Sequence, residues 1–375
     1  MAGIYIHIPF CKQACHYCDF HFSTSLKWKK ELVKALGKEL ILKKNKVSEI
    51  IETIYFGGGT PSLLNAEELG FVFETIYENY EVSPTAEITL EANPDDLSKE
   101  KIKELSVSKI NRLSIGIQSF FDDDLKWMNR SHNAEEAEKA IKYSKKYFDN
   151  ISIDLIYGVP GMSEEKWRKN LQKALELKIP HISSYALTVE TGTALAKMIE
   201  LKKKKPVDDA AAKKHYEILV KTMTAAGYIN YEFSNFGLKG YFSQNNTAYW
   251  KGKSYLGVGP SAHGFDGKNR YWNVSHNILY IKSLEKGKIP HTEENLTVSD
   301  RYNEYIMTRL RTIWGISLTE IKEKFGDKIL HYFQKEAKSL FEKGLLIEKE
   351  NHIHISKKGK FLGDGISSEL FFIEE

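Results

Sequence analysis

The chain has 375 residues, 42% of them hydrophobic and 28% charged, with 54 Lys+Arg against 50 Asp+Glu for a formal charge of +4. This is the balance of a globular protein able to bury a sizeable core, and its length predicts one large domain plus a smaller one. The slight positive excess gives no ground for a specific nucleic-acid partner, and no apolar run reaches bilayer length, so a transmembrane protein is excluded as an expectation.

Met1-Ala2-Gly3-Ile4-Tyr5 runs directly into a strand-like segment at 3–8, without the basic region and long apolar stretch of a secretory signal, so a cytoplasmic location is expected. Apolar runs bounded by turn signals predict further strands at 51–56, 86–91, 111–117, 150–157 and 181–187. Helical spacing of Lys, Glu, Leu and Ala fills the intervening stretches 25–44, 66–80, 98–108, 134–148 and 163–177, several of which open on Ser, Asn or Pro-Asp cap signals. Strand-helix alternation implies parallel strands joined by right-handed crossovers. The expected class is α/β: a partial (β/α)6 TIM-like barrel over 1–205, with its working residues at the C-terminal ends of the strands.

The run Lys202-Lys203-Lys204-Lys205 reads as a solvated loop rather than a phosphate-binding surface, though it leaves peripheral contact with an anionic membrane open. From 206 to 295 the pattern is irregular, with a helix near 207–226 and then a Gly- and aromatic-rich stretch containing Asn245-Asn246-Thr247-Ala248-Tyr249-Trp250, expected to extend or close the barrel. Residues 296–375 predict helices near 299–313, 318–324 and 328–343 followed by short strands at 345–348 and 352–356, the order of a winged-helix-like α+β module. Acidic Asp327, Glu336 and Glu342 on its third helix favour packing or a protein partner over DNA.

All three cysteines, Cys11, Cys15 and Cys18, lie within eight positions just after the first strand. An odd number so crowded is no disulfide framework and indicates a metal site. Three thiolates in one loop can hold three irons of a cubane 4Fe-4S cluster and leave the fourth iron open to a small molecule. The alternative is a Cys3His zinc site completed by His16 or His21. Gly57-Gly58-Gly59-Thr60-Pro61 closes the second strand, where backbone can approach a ligand that any side chain would obstruct. Later strands end on Glu91, Gln118 and Asp154, and Arg130 follows the fourth, so polar groups of four strands face one mouth.

Cys11-x3-Cys15-x2-Cys18 with Tyr17 before the last cysteine, preceded by Ile4-Tyr5-Ile6-His7-Ile8-Pro9-Phe10, resembles the radical S-adenosylmethionine (SAM) superfamily. Within it the similarity is to the oxygen-independent coproporphyrinogen III oxidase-like family and extends over most of the chain. The resemblance implies a 4Fe-4S cluster on Cys11, Cys15 and Cys18 that binds S-adenosyl-L-methionine. The SAM contacts it implies are Tyr5, Gly58, Gly59 and Thr60, with Glu91 for the methionyl part, Gln118, Arg130 for the carboxylate and Asp154 for the ribose. It also implies reductive cleavage of the sulfonium to methionine and a 5′-deoxyadenosyl radical, with the protein supplying orientation and shelter.

Two branches of that family differ in function. The oxidase branch, which decarboxylates propionate side chains of a porphyrinogen, carries a fourth cysteine where this chain has Phe20 after Asp19. Phe20 points instead to the branch that binds haem as cargo and delivers it to acceptor haemoproteins. That branch carries His-Asn-x-x-Tyr-Trp after the barrel; here Asn245 replaces the histidine, and an amide is a poor iron ligand. The haem region implied is therefore Asn246, Tyr249, Trp250 and a possible substitute ligand, His263.

Overall fold

The computed structural model describes residues 2–373. Six parallel strands pair in chain order: β1 (Ala2–Ile8), β2 (Ile51–Gly58), β3 (Val82–Ala92), β4 (Arg112–Gln118), β5 (Asn150–Tyr157) and β6 (His181–Ala186). In β1 the alternation is plain: Ile4, Ile6 and Ile8 are fully buried under the helical layer, while Tyr5 and His7 take the other face. Between the strands run α1 (Lys29–Lys43), α2 (Ala66–Asn79), α3 (Lys99–Ser106), α4 (Asp122–Met128), α5 (Ala134–Ser144) and α6 (Glu164–Glu176). The cap signals read in the sequence are made. Asn65 with Glu68 and Asn133 with Glu136 form capping boxes at the starts of α2 and α5, and Ser98 and Ser163 cap α3 and α6.

The helix α4 was not expected. It is short, opens on Asp122-Asp123-Asp124 without a side-chain cap, and stops at Asn129, which takes the left-handed conformation at φ 61°. Seven residues show too little periodicity to be read from sequence.

After β6 come α7 (Ala194–Glu200), α8 (Asp209–Ala225), β7 (Ile229–Asn230), β8 (Asn235–Gly237), α9 (Gln244–Trp250), β9 (Tyr255–Val258), β10 (His263–Phe265), β11 (Asn269–Asn273), α10 (Asn277–Glu285) and β12 (His291–Asn295). They extend the sheet at both sides, in the order β12-β11-β10-β9-β1-β2-β3-β4-β5-β6-β8-β7. The added strands β9 and β8 flank the six, β9 parallel to β1 and β8 antiparallel to β6.

The β9 side is fastened by a buried carboxylate on α1. Glu39 is fully buried, and it accepts from the Gly259 amide at 2.8 Å, from Asn273 Nδ2 at 2.7 Å and from the Tyr280 hydroxyl, beside Lys43 at 2.5 Å. A buried charge persists only when its acceptor sites are so filled.

The remaining chain forms α11 (Val298–Leu310), β13 (Ile316–Ser317), α12 (Leu318–Phe325), α13 (Asp327–Glu342), β14 (Leu346–Lys349), β15 (His352–Ile355) and α14 (Gly363–Glu369), with an antiparallel sheet ordered β13-β15-β14. Its buried apolar residues, from Tyr302 to Leu370, form a core separate from that of the barrel. The Lys202–Lys205 stretch is not uniformly solvated: the Lys204 ammonium sits 3.9 Å from the centre of the Trp127 ring and donates to the Trp127 carbonyl. Among the described residues no helix is long and apolar enough to cross a membrane.

Candidate functional site

A cavity of about 760 Å³ opens at the C-terminal ends of β1 to β6. Cys11, Cys15 and Cys18 line one wall; Gly58, Gly59, Thr60 and Glu91 line the next; Gln118, Arg130 and Asp154 complete the barrel's share. Strands far apart in sequence, from β1 to β5, thus bring these sequence-derived positions to one mouth.

The cysteine loop is braced on several sides. Cys11 N–H donates to the Ser23 carbonyl at 3.1 Å and Ser23 N–H to the Pro9 carbonyl at 2.9 Å, closing its base. Lys12 pairs with Asp95 at 3.2 Å and with Asp96. On the far side Asn129 accepts from Gln13 Nε2 at 2.9 Å and donates to the Ala14 carbonyl at 2.7 Å. Two such bonds, each worth about 1 kcal/mol, hold the cysteines in place. Asn129→Ala is therefore expected to leave the fold intact but to speed loss of the reconstituted cluster in air by roughly tenfold, read from the decay of its visible absorbance.

The Gly58-Gly59 pair has a second duty. A Cβ on Gly59 would lie 2.6 Å from the Phe10 carbonyl oxygen and 2.8 Å from that of Ile8, while Gly58, at φ 108°, would press one within 2.5 Å of the His7 ring. These glycines let β2 close against the root of the cysteine loop, with Gly59 N–H donating to the Ile8 carbonyl at 2.9 Å.

Burial pushes the Cys18 thiol up to about 11 and raises Cys11 as well. Their thiolates therefore need a cationic centre. Arg130 lies beside the loop: it donates to Cys15 Sγ at 3.3 Å, to Asn93 Oδ1 at 2.6 Å and to the Gly116 carbonyl at 2.8 Å, and its Nε is buried without a partner among the described residues. Burial opposes the Arg130 charge, but Tyr17 and Cys15 outweigh it and hold the guanidinium firmly protonated.

Glu91 accepts from the Tyr55 hydroxyl at 2.7 Å and from Gly58 N–H at 3.2 Å. Burial dominates and raises its carboxyl to about 7; burial likewise raises Asp154 to about 6 against hydrogen bonds from Ser183 and Ser114. Gln118 ends β4 in a register shift and at φ 66°, a strained conformation for a residue with a side chain. Strain and a bulge at a cavity wall are typical of a functional position.

The other sequence-derived positions lie away from this cavity. Tyr5 does not line the cavity: it lies inside the barrel, stacked on Tyr55 with centroids 6.1 Å apart, its hydroxyl 3.1 Å from His7 Nδ1. Of the histidines considered for a zinc site, His16 has its Nδ1 3.1 Å from the Trp127 carbonyl and His21 its Nε2 2.8 Å from Asn277 Oδ1. Among the described residues no three His, Cys, Asp or Glu side chains are grouped to hold a single metal ion.

None of Asn246, Tyr249, Trp250 and His263 lines this cavity. Asn245 is buried low in the barrel against Thr53 Oγ1, with its N–H on Glu87; Tyr249 packs on Tyr255; and His263 stacks on Trp272 in β10. Trp250 reaches the cavity indirectly, its ring 5.8 Å from the Arg311 guanidinium.

What sequence reasoning missed is the outer half of the cavity. Tyr216, Phe233, Arg311, Lys360 and Phe361 close it, drawn from α8, from the chain near β8 and from the C-terminal module. No local pattern in the sequence tells that residues 311 and 360 fold back over the mouth.

Comparison with known proteins agrees with this geometry. A family model of the radical SAM superfamily matches residues 5–174, and one of the HemN C-terminal domain matches residues 296–362. The fold superposes on coproporphyrinogen III oxidase (HemN) from Escherichia coli, a radical SAM enzyme, with a TM-score of 0.84 at 21% identity, covering 99% of this chain and 90% of that one. The heme chaperone HemW of Bacillus subtilis is 34% identical over 98% of both chains, and that of Lactococcus lactis is 34% identical over 99% of this chain and 97% of its own. Fold and cysteine-lined mouth together are those of a radical SAM protein. Within that class the chain belongs to the HemW family.

Proposed function

We propose that this protein is a haem carrier: it holds a 4Fe-4S cluster on Cys11, Cys15 and Cys18, binds S-adenosyl-L-methionine beside it, takes up haem and passes it to acceptor haemoproteins in the cytoplasm. The observation that carries the reading is the single cavity in which three free cysteines meet the glycine pair and the buried polar groups of β3, β4 and β5. The donor set fits an iron-sulfur cluster, for of the three thiols in one loop Cys11 and Cys18 are penalised by burial and gain from a cationic iron centre what water denies them. The cavity also fits the nucleoside: a Cβ on Gly116 would come within 3.0 Å of Gln118 Nε2 and 3.3 Å of Arg130 Nη2, so the glycine keeps a cradle open between them.

The residues divide the work by chemistry. Glu91, once ionised, pairs with the methionyl ammonium; Gly58, Gly59 and Thr60 face it with backbone groups and a hydroxyl. The Asp154 carboxylate accepts from ribose hydroxyls, Gln118 offers an amide that both donates and accepts, and the unpartnered Nε of Arg130 directs positive charge to the carboxylate. When bound, the reduced cluster and SAM supply one-electron chemistry, and the surrounding walls keep water away from it.

Phe20, 66% exposed at the cavity rim, stands where the oxidase branch has a cysteine, which supports carriage over decarboxylation. Anaerobic reconstitution with iron and sulfide followed by haem titration tests the reading. A saturable Soret shift at one haem per chain is expected; no binding would refute it.

A further inference from the structure

We propose that the outer half of the cavity is the tetrapyrrole seat, in which Arg311 and Lys360 hold the two propionate carboxylates while the macrocycle lies among Phe233, Phe361 and Tyr216. The inference deepens the haem-carrier reading and rests on it. The observations are independent of the family's motifs, all of which lie on the barrel side or in α9.

First, the cavity is larger than one nucleoside requires, and its volume sits in the upper part of the roughly 300–1,000 Å³ usual for ligand sites. Its outer wall changes character, from backbone and carboxylates to aromatic rings with two cations and one rim carboxylate, Asp364. Planar aromatics flanked by cations match a flat, amphipathic dianion.

Second, both cations are incompletely satisfied. Arg311 pairs through Nη1 with Asp364 at 2.5 Å, a carboxylate 79% exposed at the rim, and its Nε is buried without a partner among the described residues. A guanidinium has five donors, so this pairing leaves it able to grip a second carboxylate. Its guanidinium carbon lies 4.9 Å from the centre of the Phe233 ring. The Lys360 ammonium bonds only the Asn230 amide oxygen among described partners, and burial lowers its proton affinity against the pull of Glu232. An anion arriving there restores what burial took away. The Lys213 ammonium lies 5.8 Å from the centre of the Phe361 ring.

Third, among the described lining residues there is no histidine, and burial pushes the hydroxyls of Tyr157 and Tyr216 upward, away from the tyrosinate that would ligate iron. The wall therefore grips the ring's edge and face rather than its metal. Such a hold suits cargo that must be surrendered, and it explains how Asn245 is tolerated where a histidine is absent.

The test uses the full reconstituted chain and three probes: haem, metal-free protoporphyrin IX and protoporphyrin IX dimethyl ester, whose propionates are uncharged. Wild-type protein is expected to bind haem and protoporphyrin IX with similar affinity and the ester at least tenfold more weakly, about the value of one charged contact. Arg311→Met with Lys360→Met should weaken haem and protoporphyrin IX by a further about tenfold each or more, leave the ester unchanged and leave cluster content and SAM binding as they were. Saturable haem binding that is indifferent to esterification, or that is lost with the metal-free ring, would overturn the seat while sparing the carrier reading. Failure of wild-type protein to bind any of the three would overturn both. The ester comparison needs no variant, so misfolding of the double substitution cannot obscure the answer.

Discussion

Cys11→Ala, Cys15→Ala and Cys18→Ala are each expected to abolish the iron-sulfur absorbance and to lower reconstituted iron to background. The three thiols line one cavity wall on one loop, and a cubane held by only three protein ligands loses one of its iron bonds with each substitution. The fold should survive, because the loop is closed by Lys12 with Asp95 and by Asn129 rather than by the metal. Near-native far-UV circular dichroism with no cluster is the expected pair of readings. A full cluster in any single variant would remove that cysteine from the ligand set.

Glu91→Gln is expected to weaken S-adenosylmethionine binding roughly 30-fold to a few thousand-fold, since removing one partner of a buried charge pair costs about 2–5 kcal/mol. The pH profile separates charge from shape. With the free carboxyl at about 7, wild-type affinity should climb with pH up to about 7 and then level, because the ammonium needs the ionised form. The Gln variant should show no such climb. Stability runs the opposite way. A carboxyl raised above its unfolded value of 4.5 stabilises the ligand-free fold below about 4.5, and that contribution is lost as pH rises through 7. Glu91→Gln should therefore melt above wild type at pH 8 and close to it at pH 5. An equal drop at both would mark Glu91 as structural.

Much of the barrel is written locally. Alternating or continuous apolar runs bounded by turns reveal β1 to β6, and side-chain caps such as Asn65 with Glu68 reveal the helices, because both signals arise within a few residues. The short helices α4, α7 and α14 and the strands β7 to β12 carry too few residues for a period to register, and pairing with distant strands decides them instead. At the mouth, positions at strand ends are legible, since a residue closing a barrel strand faces the cavity whatever the rest of the chain does. Tyr5, earlier in its strand, points into the barrel for the same geometric reason. The contribution of Arg311 and Lys360 is invisible in sequence because it depends on how a separate core, Tyr302 to Leu370, docks on the barrel. The α9 motif shows the same limit: its residues are adjacent in sequence, yet Asn245 faces Thr53 deep in the barrel while Trp250 lies behind Arg311.

The measurement that bears most directly on the carrier reading is a side-by-side anaerobic assay of one reconstituted preparation. One arm supplies coproporphyrinogen III, S-adenosylmethionine and a reductant, and product mass is followed; the other loads haem and adds an apo-haemoprotein, whose holo spectrum is followed. We expect haem to appear in the acceptor while coproporphyrinogen III keeps all its carboxylates. Decarboxylated product with no haem transfer would contradict the account and make the protein an oxidase in spite of Phe20.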